Sequence, residues 1–255
     1  MRIIISPAKK MVENIEALPV QGEPSFLKHT KDLLVYLKSL SYEEAKELWN
    51  CNDQIATLNY ERISNMDLVT KLTPAILSYQ GIQYQYMAPE VLEKDQLEYI
   101  QEHLFILSGF YGILKPFDGV TAYRLEMQSK VRLSDKKDLY DFWGSLLYDK
   151  ISKETDLILN LASKEYSKCI ERYVSNDVKL VTCVFGERKG DKVIEKGTYA
   201  KMARGEMVRY MAEHKITTIA DVIKFNRLDF SYDENLSTET KLVFVKGDSN
   251  VRIRK

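Results

Sequence analysis

The chain has 255 residues, of which 45% are apolar and 29% charged. That make-up fits a globular protein and excludes a collagen, a low-complexity tract or a disulfide-dense miniprotein. A chain this long buries about three quarters of its unfolded surface and needs no disulfide or metal to hold a core. Lysine plus arginine equals aspartate plus glutamate at 37 each. This excludes a polybasic, histone-like mode of nucleic-acid binding but not a local basic cleft, because a zero sum does not say where the charges sit.

Residues 2–5 form a β-branched run that predicts a buried strand, broken by Ser6-Pro7-Ala8-Lys9-Lys10. Residues 12–24, with Pro19, Gly22 and Pro24, predict a loop. From Ser25 the apolar spacing turns helical, Ser41-Tyr42-Glu43-Glu44 has the form of a capping box that opens a second helix, and 53–64 predicts a third. Short buried strands are then expected at 75–79, 105–107, 157–159, 180–185 and 242–245. Helices are expected at about 90–102, 139–151, 164–174 and 199–214. Strands near 180–186 and 191–195, linked by Glu187-Arg188-Lys189-Gly190, predict a hairpin. The fold class is therefore α/β, a mixed sheet flanked by helices. With no repeat and no linker in sight, residues 1–255 are expected to form a single domain.

No apolar run approaches the roughly 20 residues that span a bilayer, and Met1–Pro7 lacks the long apolar region of a secretory signal. Cys51, Cys169 and Cys183 are odd in number and form no C-x-x-C. A reducing cytoplasm is the expected setting.

In α/β sheets ligands gather at the carboxyl ends of strands. Three such ends carry polar residues or glycines: Ser6–Lys10, Ser108–Gly112 and Asn160–Tyr166. Ser163 is a candidate N-cap for the next helix. Ser6, Ser108, Asn160, Ser163 and Glu165 are the candidate catalytic residues. No phosphate-binding glycine loop, nucleophile elbow or histidine pair of metal-ligand spacing occurs, so no metal or cofactor is expected. Of 16 tyrosines, Tyr79, Tyr84, Tyr86, Tyr111, Tyr123 and Tyr166 are placed to stack on bases or to bury their rings.

Residues 196–209 hold four basic groups and one acid. On a helical wheel Ala203, Met207, Tyr210 and Met211 share one stripe, with Lys201, Gly205 and Val208 on the other side. Gly205 costs a helix about 1 kcal/mol relative to alanine, which implies close approach by another helix or a ligand. After Lys215-Ile216-Thr217-Thr218, a short helix from Ile219 to about Phe225, capped by Thr218, completes a candidate helix–hairpin–helix unit at 199–226.

Six motifs in order resemble the YaaA peroxide-stress protein family: Ile4–Lys10, Leu107–Pro116, Tyr123–Met127, Phe142-Trp143-Gly144, Asn160–Ser163 and Lys201–Gly205. The resemblance implies a cytoplasmic bacterial protein that supports survival under hydrogen peroxide and limits iron-dependent damage to DNA. It further implies an unusual single-domain α/β fold with a positively charged cleft and a helix–hairpin–helix, binding duplex DNA. The turn Ile216-Thr217-Thr218-Ile219 departs from the usual hairpin by lacking its glycine. The expected DNA- or anion-binding residues are Lys9, Lys10, Arg124, Lys164, Lys201, Arg204 and Arg209, meeting in one electropositive hollow. The alternative is an enzyme acting on a nucleotide or modified nucleobase in a strand-end pocket, with a nucleotide-like small molecule as ligand. Direct iron binding through scattered carboxylates is a third option.

Overall fold

In the computed structural model, which describes residues 1–13, 18–133, 135–190 and 192–247, Ile3, Ile4 and Ile5 are fully buried. They lie in β1 (Arg2–Ile5), at the middle of the sheet with a parallel strand on each side. A strand covered on both faces reads as a continuous apolar run rather than an alternation. There follow β2 (Lys10–Met11), α1 (Leu27–Ser39), α2 (Tyr42–Trp49), α3 (Asp53–Ser64), β3 (Thr73–Pro74), α4 (Ala75–Ser78), β4 (Tyr79–Gln80), α5 (Ile82–Met87) and α6 (Lys94–His103). Next come β5 (Leu104–Ser108), β6 (Gly112–Leu114), β7 (Gly119–Val120), α7 (Leu139–Trp143), α8 (Leu146–Ser152), β8 (Leu157–Leu161) and α9 (Lys164–Glu171). The C-terminal part holds β9 (Lys179–Lys189), β10 (Lys192–Ile194), α10 (Gly197–His214), α11 (Ile219–Val222), β11 (Phe230–Tyr232) and β12 (Lys241–Lys246).

The eight-stranded sheet has the order β11-β12-β9-β8-β1-β5-β6, with β10 paired to β9. Neighbours among β5, β1, β8, β9 and β12 are parallel, whereas β6, β10 and β11 pair antiparallel. This is the mixed sheet expected, and the 180s hairpin is present as β9 and β10. It turns at Gly190, whose φ of 62° suits glycine.

Three expectations need correction, and a fourth falls partly outside the described residues. Residues 75–79 are a buried helical turn between two short strands, since a brief apolar run does not distinguish a strand from a covered helix. The helix expected at 139–151 breaks at Gly144, φ 50°, into α7 and α8. Of the predicted loop over 12–24, residues 14–17 lie outside the described residues. The second arm of the 199–226 unit is the single turn α11, not a helix to Phe225, although Thr218 caps it by accepting the Asp221 N–H at 3.2 Å. A helix–hairpin–helix is not established by this geometry.

Helix α10 is buried on two sides. Ala203, Met207 and Met211 face the core as the wheel implies, but Gly205 and Val208 are buried too. What approaches Gly205 is another helix: a Cβ there would lie 2.0 Å from the Gln83 carbonyl oxygen of α5 and 3.0 Å from the Met87 nitrogen. Backbone meets backbone, so no rotamer change relieves the clash. Gly205→Ala should gain about 1 kcal/mol in helix propensity and lose more in packing, where overfilling a close contact costs about 1–3 kcal/mol or above. The expected net result is a lower denaturant midpoint at unchanged slope. A midpoint equal to wild type would show that α5 and α10 separate without cost.

Candidate functional site

Strand β1 is followed by a connection that leads to β5 on one side, and β8 by one that leads to β9 on the other. The carboxyl ends of β1 and β8 therefore form a topological switch point, the place where open α/β sheets bind ligands. Ser6 and Ser163 stand at these two ends and meet. Ser6 Oγ accepts the Ser163 N–H at 2.8 Å and donates to Ser163 Oγ at 3.1 Å. Ser163 holds the N-cap position of α9, but its hydroxyl does not cap the helix; the bond to Ser6 replaces the expected role. The buried Tyr84 hydroxyl of α5 donates to the Ser6 carbonyl at 3.0 Å.

Beside the switch point runs the irregular segment Tyr123–Met127. Tyr123, Leu125 and Met127 are buried, and the alternation turns Arg124 and Glu126 to the other face. Gly109 holds this segment in place, because a Cβ there would stand 2.5 Å from the Leu125 carbonyl oxygen. Glu126 receives two cations: Lys9 Nζ lies 2.9 Å from Oε2 and Arg124 Nη2 lies 3.0 Å from Oε1. The second contact is an ion pair without hydrogen-bond alignment, so Glu126 Oε1 and Arg124 Nε are buried atoms with no hydrogen-bond partner among the described residues. Glu165 stands nearby, its Oε1 accepting the Gln128 N–H at 3.3 Å. Burial raises its pKa and the Glu126 carboxylate adds to the rise, against the Gln128 N–H and Lys9.

A second opening lies along β9. Glu187 pairs with Lys246 of β12 and with Ile194 of β10, so β12 and β10 flank opposite edges of β9. Strand β8 shares the β10 edge but stops at the Asn160–Thr182 register. In the gap beyond it Glu195 accepts the Phe185 N–H at 3.4 Å and the Arg204 Nη2 donor at 3.1 Å.

The structure thus brings Ser6, Ser163, Lys9, Arg124 and Glu165 together, and places Arg204 by Glu195, toward the carboxyl end of β9. Other predicted residues go elsewhere. Ser108 is fully buried, bonded to the Tyr123 hydroxyl at 2.6 Å and accepting the Tyr111 N–H at 2.9 Å, so it anchors the β5–β6 turn. Asn160 ties its loop by accepting the Ala162 N–H and donating to Thr182 Oγ1. Lys164 pairs with Glu171, Arg209 with Glu213 at 2.8 Å, and Lys10 and Lys201 are exposed. The cations at the strand ends already hold carboxylates. Glu126 and Glu195 escaped the sequence reading.

The tyrosines expected to stack or bury are settled for five of six: Tyr79, Tyr84, Tyr111, Tyr123 and Tyr166 are buried. Tyr79 and Tyr123 share a hydroxyl contact at 2.9 Å, and burial pushes the Tyr111 phenol up to about 12. Burial likewise raises the Cys169 thiol to about 12 and the Cys183 thiol further, which leaves neither an activated nucleophile. Among the described residues no three His, Cys, Asp or Glu side chains gather as a metal site, and no helix is long and apolar enough to cross a membrane.

A carboxyl group whose folded pKa is raised favours the folded state most when protonated. That contribution is full below the ordinary glutamate range and is lost as pH rises through the shifted value. Glu165 is expected to titrate above an ordinary glutamate by carboxyl carbon NMR, and to move down in Glu126→Gln. An unchanged Glu165 titration in that variant would mean that the two carboxylates do not interact.

Relatives span nearly the same length. A UPF0246 protein of Lachnoclostridium phytofermentans is 85% identical over 255 residues, all of both chains. One of Agathobacter rectalis is 53% identical over 244 residues, 96% of this chain and 98% of that one. A third, of Desulfitobacterium hafniense, is 54% identical over 246 residues with the same coverage. The family described as peroxide stress protein YaaA matches residues 1–236. The chain belongs to that peroxide-stress protein family.

Proposed function

We propose that the chain serves the peroxide-stress response from the cytoplasm by binding the phosphate backbone of duplex DNA and so limiting iron-dependent oxidative damage to it. The observation that carries this reading is the exposed corner where the β9–β10 hairpin runs into α10. Residues 188–201 hold five basic and two acidic side chains. Lys189, Lys192 and Lys201 are exposed there without an ion pair among the described residues. Tyr199 is exposed between Lys246, 4.4 Å from its ring centre, and Lys196, at 5.9 Å. Solvated lysines that neutralise phosphates release counterions, which gives affinity without sequence preference. The turn after α10 suits this role less well, since Lys215 is held by Asp95 at 2.9 Å and Lys224 by Asp221 at 2.8 Å.

The alternative of an enzyme on a nucleotide or nucleobase requires a pocket at the strand ends. The cavity lined by Lys9, Tyr123, Arg124, Glu126 and Tyr166 is about 10 Å³, far below the roughly 300 Å³ at which small-molecule sites begin. The exposed corner is therefore the better-supported site.

Binding of a duplex of random sequence, measured by fluorescence anisotropy, should fall with salt at a log–log slope of roughly −3 or steeper, about −0.9 for each phosphate neutralised. The double variant Lys192→Glu, Lys201→Glu should weaken binding and flatten that slope while the melting temperature stays near wild type. Salt-independent binding, or a variant that binds as wild type does, would remove the support for this reading.

A further inference from the structure

We infer that Lys9 and Arg124 form a binding site for a phosphoryl oxyanion which the carboxylate of Glu126 occupies in the free protein, and that Glu126 swings aside to admit the anion. The inference does not depend on duplex binding, because it rests on the strand-end cluster and not on the β10–α10 corner.

Three observations converge. The first is the poor fit of the present occupant. The Arg124 side chain is only 11% exposed, yet among the described residues its Nε–H has no acceptor and the Glu126 oxygen closest to its guanidinium makes no hydrogen bond. Buried polar atoms are ordinarily satisfied, and an arginine presents its N–H groups as a rigid fork that suits two acceptor oxygens at once. A phosphoryl group offers three oxygens, enough to meet the fork and the Lys9 ammonium together. The second is room. The cavity beneath Lys9 and Arg124 is about 10 Å³, space for about one water molecule, so an anion enters only if Glu126 leaves. Glu126 also lines a cleft of about 500 Å³ between the α1–α2 helices and residues 128–130. On the wall of that cleft the Trp49 Nε1–H is buried without an acceptor among the described residues, and Lys130, Glu44 and Glu47 line the cleft with it. A carboxylate turned into the cleft brings an acceptor to the tryptophan wall, whereas Glu44 and Glu47 on the same walls oppose the move, so Glu126 stays on Lys9 and Arg124 until an anion displaces it. The third is position. The cluster adjoins the β1–β8 switch point, where open α/β sheets receive phosphorylated ligands.

Two cations are left without a counter-charge once Glu126 departs, and Glu165 remains nearby to repel a weakly held anion. A phosphoryl group has three oxygens to meet the guanidinium fork and the ammonium at once, more acceptors than the single carboxylate it replaces.

The test is titration with inorganic pyrophosphate, followed by calorimetry and tryptophan emission at fixed ionic strength. Glu126→Gln should bind at least tenfold more tightly than wild type, Arg124→Ala at least tenfold more weakly, and the double variant as weakly as Arg124→Ala. Lys9 is exposed, so Lys9→Ala leaves the fold intact and should weaken binding several-fold even if a substitution at Arg124 unfolds the chain. Pyrophosphate should alter the emission of the wild type, and the change should be absent in Trp49→Phe. Adding a DNA duplex to the saturated protein identifies the source of the phosphoryl group. Displacement of pyrophosphate assigns the site to a duplex phosphate, and simultaneous binding assigns it to a free phosphate compound, each supporting the site. Failure of pyrophosphate to bind wild type and Glu126→Gln, or equal affinity in Glu126→Gln, Arg124→Ala, Lys9→Ala and wild type, overturns the inference. Neither result bears on Lys192 and Lys201, so duplex binding at the β10–α10 corner stands or falls separately.

Discussion

The hydroxyl of Ser6 joins the two strand ends on which the rest of the site is arranged. It takes the Ser163 N–H and donates back to the Ser163 hydroxyl, while the carbonyl of the same residue receives Tyr84. One residue thus ties β1 to the start of α9 and to α5, and α5 is pressed against α10 at Gly205. Because Ser6 is almost wholly buried, losing its hydroxyl would leave the Ser163 N–H without its acceptor, a cost of about 1–3 kcal/mol. Pro7 follows at once and cannot donate to a ladder, so β1 stops here and the chain is free to carry Lys9 outward toward Glu126.

The parts of the fold that depend on local chemistry were legible in the residues. The β-branched run of β1, the capping box at Ser41 and Glu44 and the bounds of α3 all follow from spacing and side-chain type. What escaped is decided by distant partners. Ala75–Ser78 became a helical turn because the N–H groups of Ala75 and Ile76 find the Asp118 and Pro116 carbonyls, acceptors some forty residues away. The two-sided burial of α10 likewise depends on α5, a six-residue helix that supplies a bare backbone edge to Gly205. The glycine did signal a close approach, but its sequence did not say by what.

At the site, residue types were readable and pairings were not. Lys9 and Arg124 stood out as cations and Ser6 and Ser163 as strand-end hydroxyls, but Glu126 was passed over although it lies in the same motif as Arg124. The signal was present in the alternation of Tyr123, Leu125 and Met127, which fixes Arg124 and Glu126 on one face two residues apart. Neighbours of opposite charge two residues apart are expected to pair, and such a pair, taken out of water, needs a further donor for the carboxylate's remaining oxygen. Lys9, more than a hundred residues away, is that group. Ser108 erred in the opposite direction: serine after a buried strand suggests chemistry, yet here it satisfies the N–H groups of a turn in a fully enclosed cluster of tyrosines.

A neutral chain can present cations to an anion in two ways, and this one holds both arrangements apart. At the strand ends Arg124 is sunk while Lys9 is exposed, and both are already matched by a carboxylate, because an unmatched buried charge costs several kcal/mol. An anion must therefore compete with an internal one, and geometry rather than net charge decides the exchange. At the hairpin leading into α10 the lysines are solvated, cost little to leave unmatched and act through counterion release, so salt rather than shape governs what they hold. The first arrangement suits a compact multivalent group that fills a fork of donors, and the second suits an extended polyanion. Equal totals of acid and base conceal the division.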